Sequence, residues 1–250
     1  MTYTLASDIT AFSTERDCRQ PEEAYDGFNI TPYTGDDVSH VISCREQLCQ
    51  QLAIPDDRLI LPHQVHGTRI QEVTADNLHA TFEDTDGLIT LLPNVCIGVS
   101  TADCVPLLMH DTQTGAIAAV HAGWRGTVRR IGVLALGALF DAYGTHPEHV
   151  QCIIGPSIGP EAFEVGPEVP EAFAAAGFPL NAIAYCLGKK WHVNLWRANA
   201  WQLQCAGVAA PNIQSADLCT YTHHTRYFSA RRLGISSGRI FTGIMRREQA

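Results

Sequence analysis

Between positions 58 and 120 the apolar residues gather into short runs separated by glycine, proline and polar turns, the pattern of strands buried in a sheet. Six such runs, at 58–63, 68–73, 87–90, 95–100, 105–109 and 115–120, predict six strands. The last of them leads into VHAGWRGT, and beyond Thr127 the period changes. Val128, Ile131, Val133, Leu134, Leu136 and Leu139 recur at mixed three- and four-residue steps, which predicts a well-buried helix from Trp124 to about Tyr143. A buried strand follows at VQCIIG, then a Pro- and Gly-rich loop over 155–167, a helix at PEVPEAFAAAG and another at NLWRANAWQLQCAG. Two late strands are expected near 226–229 and 239–244. Upstream, residues 18–37 read as loop and end on an aspartate able to cap a helix over about 38–52. Strands and helices mix without the strict alternation of a doubly wound sheet. The expected fold is therefore α+β: a single compact domain over residues 1–250, with mixed β-sheets flanked by helices.

Composition narrows the setting. A hydrophobic content of 46% with 17% charged residues suits a large core, and the formal charge of −9 argues against a nucleic-acid binder, which needs clustered Lys and Arg. The pairs Arg129–Arg130, Arg231–Arg232 and Arg246–Arg247 are too short to make such a tract. The longest apolar run, IGVLALGALF, is too short to span a bilayer. MTYTLASDIT lacks the basic start and apolar stretch of a secretory signal. Nine cysteines with no Cys-x-x-Cys pair read as reduced, mostly buried thiols, so the expected compartment is the cytoplasm.

Three segments end predicted strands with reactive groups. LPHQVHGT carries His63, Gln64 and His66; VSTADCVPLL carries Asp103 and Cys104, with Pro106 expected to interrupt pairing; VHAGWRGT carries His121 and Arg125. His66, Cys104 and His121 are two imidazoles and a thiol, a mixture that zinc accepts, and three protein ligands leave a fourth position for water or substrate. Asp103 is placed to orient a ligand imidazole. Arg125, beside glycines and a helix start, is suited to an anion, or equally to stacking on Trp124. The long intervals match no local zinc motif, and Cys104 alone reads as readily as a small buried hydrophobe. Asp84 and Asp86 in DTDGLIT read as a turn at an Asp-Gly step. Ser157 lies in a glycine–proline loop that can line a pocket, His223 and His224 are expected to face solvent, and Arg231 is either an anion contact or a surface residue.

HQVHG, DGLIT, TADCVPLLMHD, AAVHAGWRGT, IGPSIGPEAFEVG, KWHVNLWRAN and DLCTY…YFSARR…GR occur in that order from about residue 58 to the C-terminus. Together they closely resemble a family described in turn as multicopper polyphenol oxidase, peptidoglycan editing factor, and purine nucleoside phosphorylase with adenosine deaminase activity. The resemblance implies an α+β fold, a site made of His66, Cys104 and His121 as catalytic and metal-binding residues, and Arg125 as its anion-binding partner. Gln64, Asp103 and Arg231 are secondary candidates for substrate or anion binding. One departure is Asn194, which stands after KWHV where the family has an aspartate; either residue caps a helix, but only the aspartate would orient a ligand by charge.

The three descriptions ask for different chemistry. A multicopper oxidase needs many imidazoles in His-x-His pairs, and this chain has no His-x-His; two His and one Cys make at most one mononuclear copper site. Phosphorolysis of a purine nucleoside needs a seat for phosphate and a proton for the leaving base, and deamination needs an activated water. An amidase acting on a cell-wall precursor would use Cys104 as a nucleophile activated by His121, or a metal-activated water. A zinc-binding scaffold would use the same residues only to hold loops together. The favoured expectation is a purine nucleoside phosphorylase with adenosine deaminase activity. Zinc is its expected metal and copper the alternative; purine nucleoside and phosphate are its small-molecule partners.

Overall fold

Three consecutive strands, Cys96–Thr101, Val105–Asp111 and Ile117–Ala122, are buried along their whole length, as dense apolar runs require of strands covered on both faces. The computed structural model, which describes residues 1–248, shows what covers them. A five-stranded sheet runs in the spatial order Thr2–Tyr3, Ile9–Ser13, Ile240–Arg246, Cys96–Thr101, Leu59–Ile60. A six-stranded sheet runs Ile213–Ser215, Val150–Ile154, Val105–Asp111, Ile117–Ala122, Gly87–Thr90, Ile70–Glu72. Both are mixed: Leu59–Ile60 pairs parallel with its neighbour, as do the two edge strands of the larger sheet, and the rest pair antiparallel.

The alternation of side chains fixes the layers. Ile97, Val99, Leu108, Ala119 and Ile244 meet between the sheets. Their neighbours Leu107, Met109, Ala118 and Val120 face the helices Ile131–Tyr143 and Leu195–Cys205 through Ile131, Ala135, Leu139 and Leu203. On the far side, the helix Val38–Leu52 lays Leu48, Cys49 and Leu52 on Leu59, Cys96, Phe241 and Met245. The order is helix, sheet, sheet, helix, an α+β arrangement of mixed sheets flanked by helices. A small antiparallel sheet, Glu164–Val165, Lys190–Val193 and Ala184–Leu187, lies outside these layers. Among the described residues no helix is long and apolar enough to cross a membrane.

Several expectations need correction. The helix after Trp124 is two helices, Trp124–Val128 and Ile131–Tyr143, because Arg130 adopts a left-handed backbone with φ 59°. The guanidinium of Arg130 lies over the rings of Phe178 and Trp201 and donates to Ala176 O, contacts that hold the break. No strand forms at 226–229: Tyr227 and Phe228 are fully buried as anchors of a turn. Pro106 does not interrupt pairing but sits within its strand opposite His121. Its carbonyl accepts from Gly155 N, so its missing N–H faces the side where the neighbouring strand has ended. Asp37 caps the first helix as expected, accepting from His40 N.

Neighbouring strands of the five-stranded sheet pack closely at Gly98, where a Cβ would meet the Phe241 ring at 2.2 Å and Thr242 O at 2.8 Å. Gly98→Ala is expected to cost about 1–3 kcal/mol, read as a lower midpoint in urea unfolding; an unchanged midpoint would contradict this packing.

Candidate active site

Two of the three nominated ligands lie where the chain passes from one sheet to the other. Residues 61–69 link Leu59–Ile60 of the five-stranded sheet to Ile70–Glu72 of the six-stranded sheet and carry His66. Residues 102–104 link Cys96–Thr101 to Val105–Asp111 and end in Cys104. His121 is the penultimate residue of Ile117–Ala122, inside the strand rather than in the turn after it. The turn itself is fixed by Thr127, whose hydroxyl donates to Gly123 O and Ala122 O and accepts from Asn199 Nδ2 at 3.1 Å.

These crossings converge. One ligand atom each from His66, Cys104 and His121 lies within 4.8 Å of the others. Cys104 Sγ is 3.8 Å from His66 Nε2, and the two imidazoles meet edge to face at 4.7 Å. His121 is buried, Cys104 half-buried and His66 exposed, so the cluster has a closed floor and an open rim. Gly123 keeps it open: its φ is an ordinary −59°, but a Cβ there would lie 3.0 Å from Cys104 Sγ, 3.3 Å from His66 Cδ2 and 3.7 Å from His121 Nε2.

Asp86, read from the sequence as a turn residue, organises the floor. Its fully buried carboxylate accepts from His121 Nδ1 at 2.8 Å. It also accepts from the backbone N–H groups of His66 at 2.9 Å, Gly67 at 2.6 Å and Val65 at 3.3 Å. Three successive N–H groups curl around one anion, which gives His66 its left-handed φ of 59°. With Nδ1 committed, His121 presents Nε2 to the cluster, the arrangement that orients a ligand imidazole. The available sequence signal was the placement of Asp86 at the head of a buried strand, one residue before Gly87.

Electrostatics follow from this geometry. Burial raises the Cys104 thiol, but the charge and hydrogen bond of His121, and then those of His66, outweigh it and bring the thiol down to about 6. Burial lowers His121, yet the Cys104 thiolate and the Asp86 carboxylate carry it up to about 9. Burial also opposes the Asp86 carboxylate, and His121 with the Gly67 and Val65 amides still holds it below the ordinary carboxylate range. Cys104, His121 and Asp86 thus stand in a row of thiol, imidazole and carboxylate.

The remaining candidates contribute no ligand atom to the cluster. Gln64 spends both ends of its amide on Ser100, donating to its carbonyl at 2.9 Å and accepting from its N–H at 2.7 Å. Asp103 orients no imidazole: it accepts from Thr220 Oγ1 and from Arg231 N, both at 2.6 Å. Arg231 directs its guanidinium to the carbonyls of Ala162 and Glu164. Arg125 is exposed, lies 4.3 Å over the Trp124 ring and has no protein acceptor among the described residues. His63 turns to Glu83 and Tyr33, at the edge of a cavity of about 530 Å³. Ser157 is buried and accepts from Trp196 Nε1. Asn194 caps its helix by accepting from Arg197 N, the role expected of it.

Residues 10–247 match the family described as multi-copper polyphenol oxidoreductase laccase. The chain is 43% identical over 249 residues to an adenosine deaminase, RL5, from an unknown prokaryotic organism, covering 96% of this chain and 94% of that protein. It is 42% identical over 248 residues to a purine nucleoside phosphorylase of Bacteroides thetaiotaomicron, covering 96% and 92%. Among solved structures it resembles the hypothetical protein YfiH of Bacillus licheniformis, with a TM-score of 0.89 at 25% identity over 96% of this chain and 93% of that one. It also resembles YlmD of Geobacillus stearothermophilus, with a TM-score of 0.88 at 29% identity over 97% and 93%.

In metal-stripped protein, iodoacetamide labelling of Cys104 is expected to rise through about pH 6, against roughly 8.5 for an ordinary thiol. Peptide mass spectrometry reads each cysteine separately, and buried Cys152, whose thiol is pushed up to about 12, serves as the unreactive control. A Cys104 midpoint near 8.5 would contradict the described charge pairing.

Proposed function

The chain belongs to the multi-copper polyphenol oxidoreductase laccase family, and from that premise and the geometry of its site we propose that it is a purine nucleoside phosphorylase that also deaminates adenosine. The observation that carries the reading is the His66–Cys104–His121 cluster, braced by Asp86, in a chain whose relatives bear the names of those two activities. Among the described residues this is the one group of three or more such side chains that could hold a metal. That supports a single mononuclear site and not the several copper centres needed to reduce oxygen to water.

Zinc fits the donor set of two imidazoles and a thiolate. His66, Cys104 and His121 would hold it, in the space that the missing Cβ of Gly123 leaves open. When bound, zinc supplies Lewis acidity and makes water a usable nucleophile at neutral pH. The rest falls to the chain itself. Arg125, stacked on Trp124 with its guanidinium free, binds the phosphate that attacks the anomeric carbon as the purine leaves. His66 is the exposed imidazole of the cluster, at the rim where substrate arrives, whereas His121 lies buried with its Nδ1 held by Asp86. Deamination uses the same open rim, with water replacing phosphate and ammonia leaving the ring. The whole chain acts as one catalytic domain, and a cytoplasmic setting suits nine cysteines that are all free.

A second reading rests on the same line of groups: Cys104, His121 and Asp86 have the order of a nucleophile, its base and an orienting carboxylate, as an amidase would need. One assay separates the two. Purified protein is given inosine and adenosine, each with and without phosphate, and the products are resolved by chromatography. Phosphate-dependent hypoxanthine release and inosine formation from adenosine are expected, with both lost in His121→Ala. Neither reaction in the wild-type protein would reject the purine reading and favour the amidase.

A further inference from the structure

The exposed ligand His66 sits on a loop and not in a strand, yet its backbone is held from both sides. Asp86 takes the His66 N–H from below. From above, Arg129 donates through a terminal guanidinium nitrogen to His66 O at 2.5 Å, while its Nε donates to Arg125 O at 3.2 Å. We infer that Arg129 is a positioning residue that closes the metal site by clamping the His66 loop against the turn carrying Arg125. This rests on the metal-dependent reading proposed above and extends it to a residue that does not touch the cluster.

The break between the two helices makes the clamp possible. Residue 129 ends Trp124–Val128, and the left-handed Arg130 redirects the chain into Ile131–Tyr143. In one continuous helix, residues 129 and 130 would project about 100° apart from a single axis. In the structure the two side chains part completely: Arg130 goes to Phe178, Trp201 and Ala176 O, and Arg129 to the His66 loop. A carbonyl held by a guanidinium and an N–H held by a carboxylate leave a left-handed histidine little freedom to swing from Cys104. Arg129 and Arg125 thus divide the labour of two exposed cations four residues apart along one short helix: Arg129 is spent on backbone carbonyls, and Arg125 remains free for an anion.

The two reactions separate a clamp from an anion contact, because only phosphorolysis uses phosphate. Arg129→Ala and Arg129→Lys would be compared with the wild-type full-length protein by Co(II) titration of the metal-stripped form, read in the visible spectrum, and by both activities. Arg129 is exposed, so both variants are expected to fold, checked by circular dichroism. A clamp predicts about tenfold weaker Co(II) binding in Arg129→Ala. It also predicts an equal fractional loss of kcat in phosphorolysis and deamination, an unchanged KM for phosphate, and substantial recovery in Arg129→Lys. Wild-type Co(II) affinity in Arg129→Ala would overturn the inference, as would a raised KM for phosphate with deamination intact. If the wild-type protein catalyses neither reaction, the functional reading fails, and the Co(II) comparison still decides the clamp.

Discussion

One buried carboxylate holds the site together. Asp86 accepts hydrogen bonds from an imidazole on a central strand and from three consecutive amides of a loop that crosses between the sheets. An ionised carboxylate with no exposure is costly unless every lone pair finds a donor, and here donors come from both structural layers. Breaking such a buried pair by removing one partner typically costs about 3–5 kcal/mol. The same contacts do chemical work, since they fix the His121 tautomer and the backbone of His66. Placement of the cluster and stability of the sheet-to-sheet junction therefore depend on the same atoms.

Much of the architecture was legible in the sequence, and the exceptions have physical causes. Dense apolar runs marked the central strands because those strands are covered on both faces, and the Asp37 cap marked the start of the first helix. The helix break at Arg130 was hidden because the apolar period continues across it. Its cause is the tertiary contact of the guanidinium with Phe178 and Trp201. Tyr227 and Phe228 looked like strand residues because aromatic side chains serve a buried turn as well as a buried strand.

At the site, residue types and motif order brought His66, Cys104 and His121 together, and the fold places their ligand atoms side by side. Their supports were not legible. Asp103 is adjacent to Cys104 in sequence but turns to Thr220 and Arg231, whereas Asp86 is remote in sequence and close in space. Gln64 and Arg231 have the polarity of ligand-binding groups, yet backbone partners hold them. A chain pattern signals what a side chain can do; which partner it finds depends on where two sheets meet.

The most direct test of this account replaces Asp86 by asparagine and measures zinc affinity by competition with a chelator, with the folded state confirmed by circular dichroism. In the wild-type protein Oδ1 serves His121 Nδ1 and His66 N, and Oδ2 serves Gly67 N and Val65 N. Asparagine has one carbonyl oxygen, so in either orientation its amide N–H groups oppose two donors. Zinc binding is expected to weaken by about 10- to 100-fold in a folded Asp86→Asn protein. Wild-type zinc affinity in that variant would contradict this expectation.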